Sequence, residues 1–328
     1  MSVGLDDGGL APFVLPEGFA LTSDPAAVVA PVDGGLRLVG CTTNQQLVVI
    51  DKQADRPPQI TEARALADIW PQGHRPLCWA FDPSAPMVAI LVQPPGQSPV
   101  VTRLRTQTLT SVDITRVKPP LRHIGVVQGR PGHLMACSDL SQRSRGDWAL
   151  GRYDCELQLQ HHWDQQQLVE PIAALNKTIY WAEEDRVFAS YDLYDPFNPE
   201  AVNRHPSLAV WRGQQLVFAS SDLRRRFAPT NKIVVDHPWT LDPAAGRLWF
   251  AAQPRADNDN QDAMLLGVDA RTLRPQPLKV LEGAARILAI HAVEQGAAAL
   301  IRSHEGTHMW ALVSATDENS LTPSPLPV

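Results

Sequence analysis

Residues 238–280 read PWTLDPAAGRLWFAAQPRADNDNQDAMLLGVDARTLRPQPLKV. A short apolar strand, WTLD, runs into a Pro/Gly turn, DPAAG, and a second strand, RLWFAA, follows. A long polar loop leads to a third strand, AMLLGVDA. The tight turn ARTLRP then gives onto a weaker fourth strand, QPLKV. Apolar runs this short, bounded by turn residues, predict strands rather than helices. Four of them in about 45 residues predict an antiparallel meander.

The same grammar recurs along the chain, which is the mark of a repeat architecture. Residues 27–62 carry AVVAPVDGG, LRLVGCTTN, QQLVVIDKQADR and PPQITE. Residues 76–114 carry LCWAFDPSAP, MVAILVQ, VVTRLRTQT and LTSVDI. Residues 123–163 carry HIGVVQGRPG, HLMACSDL, DWALGRYDC and ELQLQHHW. The longer unit at 170–222 carries IYWAEED, RVFASYDLYD, LAVWRGQ and QLVFASS. Residues 287–325 carry ILAIHAVEQG, AAALIRSHEG, THMWALVSATD and ENSLTPSP. With 238–280 these make six units, spaced about 50 residues apart. Trp79, Trp148, Trp181, Trp249 and Trp310 fall among them as the large side chains expected to pack between units. Helix signals are scarce. The best is ITEARALADIW, residues 60–70, with Thr61 as N-cap.

The repeat is clearest in WTLDPAAGRLWFAA…MLLGVDARTL and WAFDPSAPMVAILV, and it resembles the β-propeller repeat proteins of bacterial type, with no subfamily assigned. The resemblance covers residues ~25 to ~325. It implies an all-β fold: a single β-propeller of six four-stranded blades, or seven if residues 10–24 or the long unit hide another. The expected organisation is an N-terminal segment at 1–24, the propeller at 25–325 and a tail at 326–328. FVLPEGFALT, residues 13–22, is a candidate ring-closing strand that would remove an exposed sheet edge.

Composition narrows the function classes. The net charge of −6 and pI near 5.9 argue against a nucleic-acid binder, which needs a basic face to neutralise phosphates. Arg224, Arg225 and Arg226 form the one dense basic run, read as a solvated connector. No apolar run reaches the ~20 residues of a membrane span, and MSVGLDDGGLAPF lacks the charged-then-apolar pattern of a signal peptide. The expectation is a cytoplasmic protein without membrane insertion. Cys41, Cys78, Cys137 and Cys155 are widely spaced in apolar runs and read as reduced, buried thiols.

One stretch points to chemistry. His304-Glu305-Gly306-Thr307-His308 matches H-E-x-x-H, in which two His on one helical face bind zinc and the Glu acts as base. The frame of the repeat instead makes AAALIRS a strand, THMWALVS the next, and HEG the turn between them, where Gly306 fits. A third zinc ligand is also missing at the usual spacing. His304, Glu305 and His308 therefore stand as weak metal candidates beside an expectation of no cofactor and no catalytic set. ADNDNQD, residues 256–262, has calcium-type oxygen ligands but lacks the helical-loop pattern and reads as a solvated loop. His161 and His162 read as a surface pair.

The remaining signal is loop length. VQPPGQSP (92–99), SDLSQRSRGD (138–147), SYDLYDPFNPEAVNRHPS (190–207) and AQPRADNDNQDA (252–263) join second to third strands, so a propeller puts them all on one face. Long loops on a rigid scaffold are where binding concentrates. The expected partner-binding residues are Arg143, Arg145, Tyr191, Asp192, Tyr194, Phe197, Asp257 and Asp259, with the aromatics exposed. The leading expectation is a non-enzymatic protein-binding scaffold, within a multi-protein bacterial system. The alternative is a six-bladed, calcium-dependent hydrolase or lactonase holding its metal through Asp82, Asn176, Asp236 or Asp242. A zinc protease through residues 304–308 comes last.

Overall fold

The computed structural model describes residues 10–12, 28–32, 35–53, 56, 59–82, 87–117, 121–138, 150–163, 172–194, 202–203, 207–220, 223–227, 233–254, 261–293, 296–306 and 308–314. A short strand, β1 (Leu10–Pro12), comes first. The first meander is β2 (Val28–Val32), β3 (Gly35–Cys41), β4 (Gln46–Gln53) and β5 (Gln59–Ala65), followed by the single turn α1 (Leu66–Ile69). The second is β6 (Arg75–Asp82), β7 (Met87–Gln93), β8 (Val100–Arg105) and β9 (Ser111–Thr115). The third is β10 (Leu121–Gln128), β11 (Leu134–Ser138), β12 (Leu150–Tyr153) and β13 (Leu159–Trp163).

The fourth contains β14 (Ile172–Trp181), β15 (Arg186–Tyr194), the two-residue β16 (Val202–Asn203), β17 (Leu208–Arg212) and β18 (Gln215–Ser220). A short helix, α2 (Leu223–Phe227), leads on to β19 (Ile233–Asp242), β20 (Arg247–Pro254), β21 (Met264–Asp269) and β22 (Pro275–Val280). The last strands are β23 (Ala284–Val293), β24 (Gly296–Ser303) and β25 (His308–Ser314).

Each meander pairs in sequence order. Four stand as separate four-stranded sheets, and the third and fourth fuse into one nine-stranded sheet through parallel pairing of β10 with β14 (Val126↔Ile179). The fusion requires Gly125. A Cβ there would collide with the carbonyl oxygen and hydroxyl of Thr178 on β14. First strands neighbour one another around a closed circuit: β2 touches β6, β6 touches β10, β19 touches β23, and β23 returns to β2. The Lys177 ammonium spans from β14 to the carbonyl of Trp239 on β19. This is a β-propeller-like arrangement.

Local chemistry explains the strands. β20 is buried at five successive positions, Leu248–Ala252, because neighbouring sheets cover both faces. Turns after third strands share one device: Leu109, Leu157 and Leu273 adopt left-handed φ of 51°, 59° and 57°. Their N–H groups donate to the carbonyls of Arg105, Asp154 and Asp269 at 2.8–3.0 Å. A left-handed leucine costs about 1–2 kcal/mol. Leu109 and Leu157 are buried, which offsets that cost. The Asp269 carboxylate accepts the N–H groups of Arg271 (3.0 Å) and Thr272 (2.6 Å), which is the Asp…Thr-Leu mark of the repeat in structural form.

The core lies between successive sheets. One cluster joins Trp181, Phe188 and Val210 to Trp239, Phe250 and Leu266, and another joins Cys137 and Trp163 to Tyr180 and Trp211. Each fully buried side chain of this size contributes roughly 1.5–3 kcal/mol. Trp181 and Trp249 pack between sheets as expected, and Trp79 is half-buried against its cluster. Trp148 lies outside the described residues, as does the side chain of Trp310.

Several sequence expectations need correction. The helix read at 60–70 is a strand as far as Ala65, because Gln59–Ala65 alternates in exposure and pairs with β4 as an outer strand; only one helical turn follows. The last sheet takes its fourth strand from β1, which pairs antiparallel with β25 (Leu10↔Ala311). The expected strands at 13–22 and in ENSLTPSP lie outside the described residues. Cys41, Cys78 and Cys137 are buried and form no disulfide, but Cys155 is exposed, since it sits in the turn between β12 and β13. The run Arg224–Arg226 belongs to α2, whose Leu223 and Phe227 are buried and whose Arg226 is exposed.

Candidate functional site

Meander order puts all second-to-third connections at one end of the sheets and all first-to-second and third-to-fourth turns at the other. The former run from Cys41 to Gln46, Gln93 to Val100, Ser138 to Leu150, Tyr194 to Leu208, Pro254 to Met264 and Ser303 to His308; the first and last of these are short. The latter are tight turns such as Pro243–Gly246 and Gly213–Gln214. One rim therefore carries most of the connecting chain.

Of the expected contact residues, Arg143, Arg145, Phe197, Asp257 and Asp259 lie outside the described residues. Asp192 and Tyr194 sit on the backbone of β15, opposite Ala174 and Val202. Tyr191 is corrected. It belongs to a strand rather than a loop and is buried, packed with Trp163, Tyr180 and Trp211. The alternation of β15 turns Tyr191 to the core face, a consequence of period-two geometry.

The HEGTH stretch is a hairpin turn. His304 ends the stretch after β24, Gly306 has φ +85°, and His308 opens β25, so the two imidazoles do not share a helical face. His304 Nε2 instead lies 3.1 Å from an Asp262 carboxylate oxygen, which also accepts the Gly283 N–H at 2.9 Å. That carboxylate thus ties the ends of two adjacent sheets. Among the described residues no three His, Cys, Asp or Glu side chains cluster as a metal site. Chelator treatment is expected to leave the unfolding midpoint unchanged. His304→Ala should cost only about 0.5 kcal/mol, the scale of a part-exposed ion pair. A midpoint lowered by chelator in wild type but not in the variant would overturn this.

The first strands hold basic groups that sequence patterning missed. Lys177 (β14) is pressed on Trp239, with its nitrogen 5.3 Å from the ring centroid. Burial lowers its pKa from 10.5 to about 8. His123 (β10) falls from 6.5 to about 3, through burial first and the Lys177 charge second. Sequence patterning singled out neither Lys177 nor a neighbour for His123; only the pairing of first strands brings them together. The Lys177 charge disfavours a cation beside it. Of the calcium candidates, Asp242 is buried in its turn, with one oxygen accepting the Ala245 N–H at 3.1 Å, and burial raises its pKa. The side chains of Asp82, Asn176 and Asp236 lie outside the described residues. His161 and His162 lie on the outer strand β13, His161 half-buried against Trp163 and His162 exposed.

No family model and no curated protein matches the sequence. Solved structures do match. A chain of the mitotic checkpoint complex superposes with a TM-score of 0.50 at 8% identity, covering 96% of this chain and 95% of that one. Saccharomyces cerevisiae Sqt1 (TM-score 0.49, 10% identity, 92% and 99% covered) and U3-55K (0.49, 10%, 94% and 98%) are also similar. Identity this low speaks to fold alone, and the fold is β-propeller-like.

Proposed function

We propose that this chain is a six-bladed β-propeller acting as a non-enzymatic docking platform for a protein partner, within a multi-protein bacterial system. The asymmetry between its two rims carries the reading. Strands end at Ser138 and Pro254 and resume only at Leu150 and Met264, and only the two-residue β16 interrupts the stretch from Tyr194 to Leu208, whereas turns such as Pro243–Gly246 and Gly213–Gln214 close the opposite rim. Extra loop length costs little in closure entropy and adds nothing to the core, so its concentration at one end points to a surface use. Arg143, Arg145, Asp192, Tyr194, Phe197, Asp257 and Asp259 are the proposed contacts. Net charge of −6 favours a protein over a nucleic acid. Among the described residues no helix is long and apolar enough to cross a membrane.

The test replaces residues 139–149 and 255–260 with short Gly-Asn turns. Both variants are expected to keep the wild-type unfolding free energy within about 1 kcal/mol and to lose a protein captured stoichiometrically by wild type. Recovery of the same protein by both variants would sink the proposal.

A further inference from the structure

The opposite rim carries an arrangement of charges that the fold does not explain. Arg186 opens β15 and Arg212 closes β17, and the two face each other in the antiparallel ladder. Like charges directly opposite destabilise a sheet pair. Arg271, from the turn after β21, approaches from the next sheet, its guanidinium 4.9 Å from the Trp181 ring centroid. The carboxylates nearby are committed elsewhere. Glu184 pairs with Arg271 at 2.7 Å, Asp269 holds its own turn, and Asp185 accepts the Tyr180 hydroxyl at 2.8 Å.

Two donors are left over. The Arg212 guanidinium is exposed and has no hydrogen bond or ion pair among the described residues. Arg186 reaches the Ala270 carbonyl at 3.4 Å through one terminal nitrogen, while its Nε is buried without a partner. A buried donor left unmade is costly, so an orphan Nε beside a facing arginine marks a place that lacks its acceptor. Burial first, and the Arg212 charge second, lower the Arg186 pKa, while Glu184 and Asp269 oppose them without reversing the direction.

We propose that Arg186 and Arg212, flanked by Arg271, form a recognition site for a phosphate dianion on the rim that carries the turns Ala182–Asp185 and Gly213–Gln214. Two guanidinium forks offer more N–H donors than one carboxylate can accept, and two facing cations suit a dianion. The site is independent of the long-loop rim: a partner could dock there whether or not this site is used. The phosphate could be free or carried on a peptide side chain, and the chemistry of recognition is shared.

The experiment titrates the full chain, at low ionic strength, with inorganic phosphate, with a phosphoserine peptide in an alanine background, and with its glutamate counterpart. Thermal shift and calorimetry give the readout. Both phosphate probes are expected to bind, and Arg212→Met, an exposed change that leaves the core intact, to weaken them roughly tenfold or more. Arg212→Lys keeps the charge but loses the fork and should fall between. Tighter binding of the phosphopeptide than of phosphate identifies a protein-borne source; equal binding identifies a free one. No binding of either, equal binding by Arg212→Met, or a glutamate peptide as tight as the phosphopeptide would overturn the assignment.

Discussion

Gly125→Ala is expected to lower stability by about 3 kcal/mol and the thermal midpoint by roughly 5–10 °C. The new methyl would enter the space of the Thr178 carbonyl oxygen and hydroxyl, with the carbonyl carbon also within 2.9 Å. Backbone cannot swing away as a flexible side-chain tip can. Relief would require β10 to part from β14 and would cost the Val126–Gln128 pairing with Ile179–Trp181. Gly96→Ala is the control. Gly96 has φ +64° but nothing within 4 Å of its Cβ position, so only the conformational cost of about 1 kcal/mol remains. Thermal unfolding followed by circular dichroism separates the two. A Gly125→Ala midpoint no lower than that of Gly96→Ala would refute the close approach.

The second large effect concerns pH. Unfolded Lys177 keeps its proton up to its ordinary value of 10.5, whereas folded Lys177 releases it at about 8. Between those values the unfolded state binds more protons, so stability rises with pH by about 3 kcal/mol across the window. The burial penalty is present in full below the folded value. His123 acts at the acid end. Its pKa drops from 6.5 to about 3 in the fold, so stability falls as pH drops through that interval, by roughly 4 kcal/mol. Urea midpoints of wild type, Lys177→Met and His123→Gln from pH 3 to 10.5 test both. The Lys177→Met curve should lose the alkaline rise, and the His123→Gln curve the matching share of the acid decline. Curves parallel to wild type would show that neither group is as enclosed as the structure places it.

Much of this fold was legible because each meander carries its own punctuation. The Asp-Pro-Ala-Ala-Gly and Asp-Ala-Arg-Thr-Leu turns state where strands stop, and the apolar runs between them are too short for helices. Expectation failed where tertiary pairing overrode local signal. ITEARA has helical composition, yet the open edge of β4 recruits it as a strand. Tyr191 stood in a stretch rich in loop residues, but the ladder of β15 extends through it. The site residues were less legible for a related reason. Lys177, Arg186 and Arg212 mean little one by one, and only strand register reveals that two arginines oppose each other or that a lysine meets a neighbouring sheet.

The union of β1 with β25 also dictates an order of events during synthesis. Leu10 leaves the ribosome roughly 300 residues ahead of its partner Ala311. At about 5–20 residues per second, the interval is on the order of 15–60 s. Intervening meanders can form from local contacts as they emerge, but the clasp cannot. Its first half stays without this partner until the second half arrives. The clasp is thus a contact of very long sequence separation, and slow to search for.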